Sequence, residues 1–500
     1  MNRFVGLILL AGTVMPVSAQ RLLSLDSCRA MALRNNKQVG ISKVKQDVAM
    51  NVRKSARTKY LPHVSALGTY QYTSRQIELL SDDQKSTLSN LGTTTMSDFQ
   101  NGISKATSVL PMENIGAILG AMGLSLETLK MASGQTLQGL AANLNSLGDG
   151  LVDALDTDTR HLFAGTVMLV QPVYLGGSLI AMNKMADINE DMQRNSAEAV
   201  RQSTIYSTDK AYWLVVSLKH KQKLAEGYLD LLKKLNDDVH KMIDEGVATR
   251  SDGLSVDVKL NEAEMTLQKV NDGLVLAKML LCQTIGLPVK EDITLADEDA
   301  ENIALEETVK IFDETTAMYN RPELKMLENG VQLSRQLTNV LKAGNLPMVA
   351  LTGGYAVSNP NVLNGFQRKF GGFWNVGVLV RVPIWNWGDV MYKVRASKGA
   401  TSIANLELQE AREKIELQVN QNTFRVSEAY KTLTMAQSNI ARAEENLRTA
   451  NIGFKEGVIT PTTVMEAQTA WLQAQSQKID AEIDVKLSQV DLQKSLGVLE

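Results

Sequence analysis

Little in this 500-residue sequence interrupts a helix or assembles a reactive cluster: it holds ten prolines, two cysteines, four histidines and only 5% aromatic residues. Proline removes a backbone donor and clashes with the turn before it, so its scarcity permits long unbroken helices. No stretch supplies about 18 consecutive apolar residues, which excludes a transmembrane helix. A chain of this kind that enters a membrane must do so as a closed β-barrel, because lipid satisfies no backbone hydrogen bonds. Phosphate-loop, GxSxG and HExxH patterns are absent, and His63, His161, His220 and His240 are scattered. No catalytic residue, cofactor or metal site is therefore expected, and the chain is not read as an enzyme. A formal charge of −3 gives no basic footprint for nucleic acid.

What is present begins with an export signal. Arg3 precedes an apolar run from Phe4 to Met15, and Val17-Ser18-Ala19 offers a small-residue cleavage site, so residues 1–19 read as a signal peptide. Cys28 lies past that site and is not an acylated first residue. Cys28 and Cys282 are read as small, unpaired core residues, since two thiols on separate helices pair only where their geometry fits.

Two offsets align the halves of the chain. At an offset of 285, Asn35 matches Asn320, Leu61-Pro62 matches Leu346-Pro347, Gly68 matches Gly353 and Tyr70 matches Tyr355. At 211, Pro172 matches Pro383, Gly177 matches Gly388, Glu245-Gly246-Val247 matches Glu456-Gly457-Val458, Thr249 matches Thr460 and Gly286 matches Gly497. One module is used twice, and the offsets differ by 74 residues, an insertion in the first copy between Tyr72 and Phe163.

The expected organisation is a first repeat over 20–288 and a second over 289–500. The first has strands at about 62–73 and 162–174, an inserted loop at about 74–161, and a helical hairpin at 178–286. The second has strands at about 347–358 and 372–385 and a hairpin at 388–498. Within the insertion, Ile115 to Ala132 and Leu137 to Leu155 could form short amphipathic helices.

Helix and strand periods separate cleanly. Ile415, Val419, Asn422, Val426, Ala429, Leu433, Ala436, Ile440, Ala443, Leu447, Ala450 and Phe454 step by four and three, a 3.5-residue repeat that supercoils against neighbours. Shifted back by 211, the stripe includes Val215, Leu218, Leu229, Leu232, Val239 and Ile243. By contrast Trp374, Val376, Val378, Val380, Val382 and Ile384 alternate with Asn375, Gly377, Leu379 and Arg381, one face for lipid and one for water. Trp374 and Trp385 are eleven residues apart, about the span of a tilted membrane strand, with Tyr70 and Tyr355 as further girdle residues. Four strands cannot close a pore alone, so a barrel requires oligomerisation. The alternative from another class is a non-conducting periplasmic or cell-surface coiled-coil scaffold, which the heptads alone permit.

The helix from Leu25 to Asn36, Tyr60-Leu61-Pro62, Asn345-Leu346-Pro347, Gln171-Pro172-Val173-Tyr174 with Gly176-Gly177, and Val382-Pro383-Ile384-Trp385 with Gly388 resemble the TolC-type outer-membrane efflux channel family. The resemblance covers essentially the whole mature chain. It implies a mainly α protein with membrane β-hairpins: a homotrimer with a twelve-stranded β-barrel continued by a periplasmic α-helical coiled-coil barrel. It also implies outer-membrane lipid around the barrel, and a periplasmic adaptor with an inner-membrane pump or secretion ATPase as partners. The insertion would then be extracellular.

Read alone, Gly246, Val247 and Thr249, and Gly457, Val458 and Thr460, are helix stops and caps; the resemblance makes them the adaptor-docking tip. It likewise places Glu466 at an acidic aperture and Asp252 at a polar tie, whose usual arginine partner is replaced by Ile459. Arg250 is a candidate substitute.

Overall fold

The computed structural model describes residues 22–76, 80–90, 142, 145–153, 160–300, 314–364 and 367–499. The signal segment 1–19 and the Ile115 to Ala132 segment lie outside the described residues; of Leu137 to Leu155, residues 145–153 are helical. The chain divides into two compact units: a helical one (Met1–Ala56, Ile180–Leu341, Gly388–Glu500) and a strand-bearing one (Arg57–Leu179, Lys342–Trp387).

In chain order the elements are β1 (Leu22–Leu23), α1 (Leu25–Asn35), α2 (Lys37–Thr58), β2 (His63–Tyr72), α3 (Asp82–Ser89), β3 (His161–Leu175), α4 (Ser178–Asp244) and α5 (Arg250–Ile285). They continue with β4 (Thr294–Leu295), α6 (Glu314–Asn320), α7 (Pro322–Lys342), β5 (Met348–Asn359), β6 (Gly371–Arg381), α8 (Asp389–Lys455) and α9 (Pro461–Leu496). No described helix is long and apolar enough to cross a membrane.

The helical unit is built on α4, α5, α8 and α9. Both α4 and α8 have 67 residues, about 100 Å at 1.5 Å per residue, and both α5 and α9 have 36. All twelve positions of the 3.5-residue stripe on α8 are buried. They meet α9 through Ala467, Ala474, Ala481 and Val485, where small side chains let the backbones approach. On α4, Val215, Leu229, Leu232 and Val239 are buried, with Leu218 and Ile243 packed beside them.

The matched residues also meet in space. A methyl group on Gly286 would come within 2.5 Å of Asn35, and one on Gly497 within 2.9 Å of Asn320. Both modules thus dock the helix of their opening segment against the end of their second long helix through a side chain that cannot grow. A core of Cys28, Ala32, Tyr212, Val215, Val216, Leu281, Cys282 and Ile285 ties α1 to α4 and α5. Its two cysteines are buried free thiols, and burial pushes Cys28 up to about 12.

Arg29 reaches from α1 into α4, placing Nε 2.8 Å and one terminal nitrogen 2.7 Å from the Asp209 carboxylate, whose side chain is wholly buried. Beyond α5 the chain returns to pair β4 with β1 in parallel, and Tyr212 donates to Asp297 at 2.5 Å.

The strand unit holds one antiparallel sheet in the order β2-β3-β5-β6. The long insertion separates β2 from β3, whereas β5 and β6 are joined by residues 360–370 alone. No residue of the four strands is buried, so neither face is covered by a second layer among the described residues. The strand expected at about 372–385 stops at Arg381, because Pro383 has no N–H to continue a ladder. Trp385 therefore lies in the junction leading to α8 and not in a strand.

Candidate functional site

Two features of the chain leave apolar side chains uncovered. The first is the sheet. Its register places Val64, Ala66, Gly68 and Tyr70 of β2 opposite Leu169, Val167, Gly165 and Phe163 of β3. Val349, Leu351, Gly353 and Tyr355 of β5 lie opposite Val380, Val378, Val376 and Trp374 of β6. Since alternate residues share a face, this surface is apolar across all four strands.

The other face is the more polar one, carrying Ser65, Thr69 and Gln71, Thr166, Thr352 and Ser358, and Asn375 and Arg381, interspersed with Leu67, Met168, Phe373 and Leu379. Aromatic rings gather on the apolar face toward the loop end: Tyr70 lies 4.7 Å from Phe163 by ring centroid, and Tyr355 is paired with Trp374. Val378 and Val380 lie between that row and the junction, both exposed. A sheet with one exposed apolar face and two unpaired edges is unstable in water; lipid on the face and further strands at the edges remove both faults.

The second feature is the pair of helix turns. At the end of α4, Gly246 adopts φ +75° and donates to Ile243, while Val247 donates to Met242 at 2.8 Å; at the end of α8, Gly457 (φ +73°) donates to Phe454 and Val458 to Gly453 at 2.8 Å. These are the paired bonds of a Schellman stop, which needs a left-handed residue and so selects glycine. In such stops the following apolar residue normally packs back on its helix. Here Val247 and Val458 are 70% and 79% exposed.

Thr249 and Thr460 cap the next helices, accepting from the Asp252 and Thr463 amides at 3.2 and 3.4 Å, with Pro461 opening α9. Both turns belong to one end of the helical unit, for Leu235, Val239, Val256, Phe454, Val464 and Met465 form a single core directly behind them.

Asp252 does not stand ready as a tie to Arg250. Its carboxylate accepts from the Thr249 amide at 3.0 Å and the Thr249 hydroxyl at 2.7 Å, closing a capping box, and these bonds hold its carboxyl below the usual carboxylate range. Glu466 is an exposed carboxylate one turn into α9, beside buried Met465 and Ala467.

One residue of interest escaped sequence reasoning. Trp387 adopts φ +53°, a left-handed conformation rare for a bulky side chain, costing about 1–3 kcal/mol. The offset of 211 pairs it with Gly176 (φ +61°), so the mismatch of tryptophan against glycine was the available signal.

An uncovered sheet with one apolar and one more polar face, in one chain with matched helices about 100 Å long, is the architecture of an outer-membrane channel protein. The pattern described as outer membrane efflux protein matches residues 315–498. The outer membrane protein TolC of Vibrio cholerae is 21% identical over 347 residues, covering 68% of this chain and 77% of that protein. The outer membrane efflux protein BepC of Brucella suis is 22% identical over 349 residues, covering 68% and 73%. Among solved structures, the Campylobacter jejuni CmeC outer membrane channel superposes with a TM-score of 0.70 at 14% identity, over 95% of this chain and 86% of that one. Residues 315–498 thus carry the outer membrane efflux protein pattern, and over 68% of its length the chain is similar to TolC-type outer-membrane proteins.

Proposed function

We propose that the protein is the outer-membrane duct of an efflux or secretion assembly, working as a homotrimer that conducts substrates received from a periplasmic adaptor and an inner-membrane pump or secretion ATPase. The observation that carries this reading is the four-stranded sheet with an apolar face, a polar face and two open edges. Three copies give twelve strands and close the edges, with the polar face lining the lumen.

The helical unit supports the same assembly. Its α5 leaves Leu254, Val258, Met265, Leu276 and Leu280 exposed, and α8 leaves Leu406, Leu417, Phe424 and Met435 exposed. These residues step by four, seven and eleven, intervals that keep one helix face. The two stripes lie on different helices, so they fit a head-to-tail contact that closes into a ring.

The tip would be formed by three copies of each turn. Val247 and Val458 supply apolar contact points for an adaptor, and the Gly246, Thr249, Gly457 and Thr460 geometry holds them in place. Three Glu466 carboxylates around a narrow tip would favour cations. On this reading the tip stands in the periplasm and the inserted loop outside the cell.

Single-channel conductance of the purified full-length protein in planar bilayers, wild type against Glu466→Ala in asymmetric salt, tests the reading. Discrete steps whose cation preference weakens in the variant are expected. A well-assembled oligomer that never conducts would instead favour a non-conducting scaffold.

A further inference from the structure

We propose that Arg381 forms a cationic collar inside the barrel, at the end of the sheet that leads into α8: three guanidinium groups that favour anionic solutes, those bearing carboxylate or phosphate. The inference rests on the reading of the chain as a trimeric duct and adds a residue that sets what passes.

Charge is scarce along the strands. Arg381 is the single Lys, Arg, Asp or Glu in β2, β3, β5 and β6, and it closes β6. It lies opposite Met348, on the face that carries Thr352, Asn375 and Leu379 and away from the face of Val378 and Val380. With lipid against the apolar face, that alternation turns the guanidinium into the lumen, where a charge tunes selectivity and costs little. Arg381 is exposed, and it makes no ion pair among the described residues.

No strand wall supplies a countercharge. Residues 57–76, 160–179 and 342–387, which hold the four strands and their flanks, carry eight Lys or Arg and not one Asp or Glu, although the whole chain has a formal charge of −3. When copies close the barrel, β6 meets β2 of the next copy, and β2 opens on the same face with His63. The seam therefore joins a cation to a neutral or basic wall, and an ion pair across it has no partner to draw on.

The modules differ here, for the offset of 211 matches Arg381 with Val170, on the same face of β3. Three copies thus present three charges, all from the second module. Three are enough for a lumen of this size. Twelve strands about 4.8 Å apart and tilted about 40° hold their backbones about 12 Å from the axis. An arginine side chain projects inward from there, and with a Debye length of about 8 Å at physiological ionic strength the fields of the three copies overlap across the opening. At about 1 M salt the Debye length falls to about 3 Å and they separate. Rings of arginine or lysine are the means by which pores favour anions and phosphates.

The test is the reversal potential of full-length protein in planar bilayers under a potassium chloride gradient, for wild type, Arg381→Gln and Arg381→Lys, each also combined with Glu466→Ala so that an acidic tip does not mask the collar. Arg381→Gln is expected to shift the potential toward the potassium value at low salt in both backgrounds, to lose that shift at about 1 M salt, and to form as much heat-resistant oligomer as wild type. Arg381→Lys, which keeps the charge, is expected to restore the wild-type potential. Tripolyphosphate in the chamber facing the barrel should reduce the wild-type current, and reduce it less in Arg381→Gln. Conducting steps with the same selectivity and the same tripolyphosphate response in Arg381→Gln as in wild type overturn the collar and leave the duct standing. A shift of equal size at high salt also overturns it, because an effect of charge must be screened. An assembled wild type that never conducts overturns the duct, and the collar with it.

Discussion

The two helical hairpins have the same lengths, residue for residue, yet are held by different chemistry. The difference lies in where polar groups are buried: α4 buries Gln202, Thr204, Thr208, Asp209 and Ser217, whereas α8 buries only Ser397 and Asn422 among polar residues and the second hairpin carries Gln468, Glu482, Ser488 and Ser495 on α9. Around the first, α1 and the β4 segment are fastened by Arg29 to Asp209, Tyr212 to Asp297 and Lys278 to Glu298. At the matched offsets Asp209 becomes exposed Asn420, and Arg29 becomes Glu314. Length answers to a shared geometry, because both hairpins must turn at the same core behind the tip. The means of packing is free to differ, and the insertion shows that strand connections are freer still.

The comparison is broken most severely at Arg29. Burial pushes the Asp209 carboxyl up, and the forked guanidinium is what opposes that push. Removing one partner of such a pair strands a buried charge, so Arg29→Ala should cost about 3–5 kcal/mol in a melt of the full-length protein in detergent. Asn420→Ala, at the matched place in the second hairpin, should stay within about 0.5 kcal/mol. Equal costs at the two sites would mean that the hairpins are held alike.

The sheets of the two modules should instead behave as equals. Val378 of β6 and Val167 of β3 are matched by the offset of 211 and lie on the same apolar face. Arginine at either should lower the yield of heat-resistant oligomer by the equivalent of about 2–4 kcal/mol if both lie near the bilayer midplane. Thr352→Arg, on the polar face, should assemble normally. A penalty at Val378 alone would show that the hairpins sit at different depths.

These contrasts also mark where sequence reading succeeded. The stripe from Ile415 to Phe454 was legible because eleven of its twelve members, all but Asn422, are apolar at a fixed 3.5-residue step, the period of a supercoiled helix seam. The duplication matched Asn35 with Asn320 and Gly286 with Gly497 at two different offsets, but the packing of each glycine on its asparagine became visible only in the fold. The Arg29 and Asp209 pair was not legible: its members are 180 residues apart, and an isolated charge on a helix reads as solvated until the fold covers it. The Asp252 capping box was hidden differently, for a Thr-x-x-Asp sequence serves equally as a cap or as a surface tie. The extension of β6 to Trp385 failed because hydrophobic alternation continues past Arg381 while Pro383 ends the hydrogen-bond ladder.

A smaller effect is expected where the modules agree most closely. Gly246 and Gly457 share their left-handed angle, and neither has an atom within 4 Å of an added methyl group. Alanine at each should therefore cost only the conformational penalty, about 1–2 kcal/mol, and the same at both. Thermal melts of the two single variants and the double variant would check this; a larger loss at one turn would reveal a contact there that the other lacks.

The finest distinction between the tips is protonation. Asp252 occupies the third position of α5 and Thr463 the third of α9, so one capping residue titrates and the other cannot. The Thr249 hydroxyl and amide hold the Asp252 carboxyl below its ordinary value, which means that the folded state binds its proton less readily than the unfolded chain. Its contribution is thus complete above the ordinary aspartate value of about 3.9 and is lost as pH falls through the lower folded value. Acidification from neutrality should leave both tips unchanged until about that point. Below it, amide hydrogen exchange, corrected for its intrinsic pH dependence, should quicken across Thr249 to Asp252 and not across Thr460 to Thr463. Asp252→Asn should abolish the difference. If both tips loosened together, the transition would belong to the core they share, and the capping box would not be its cause.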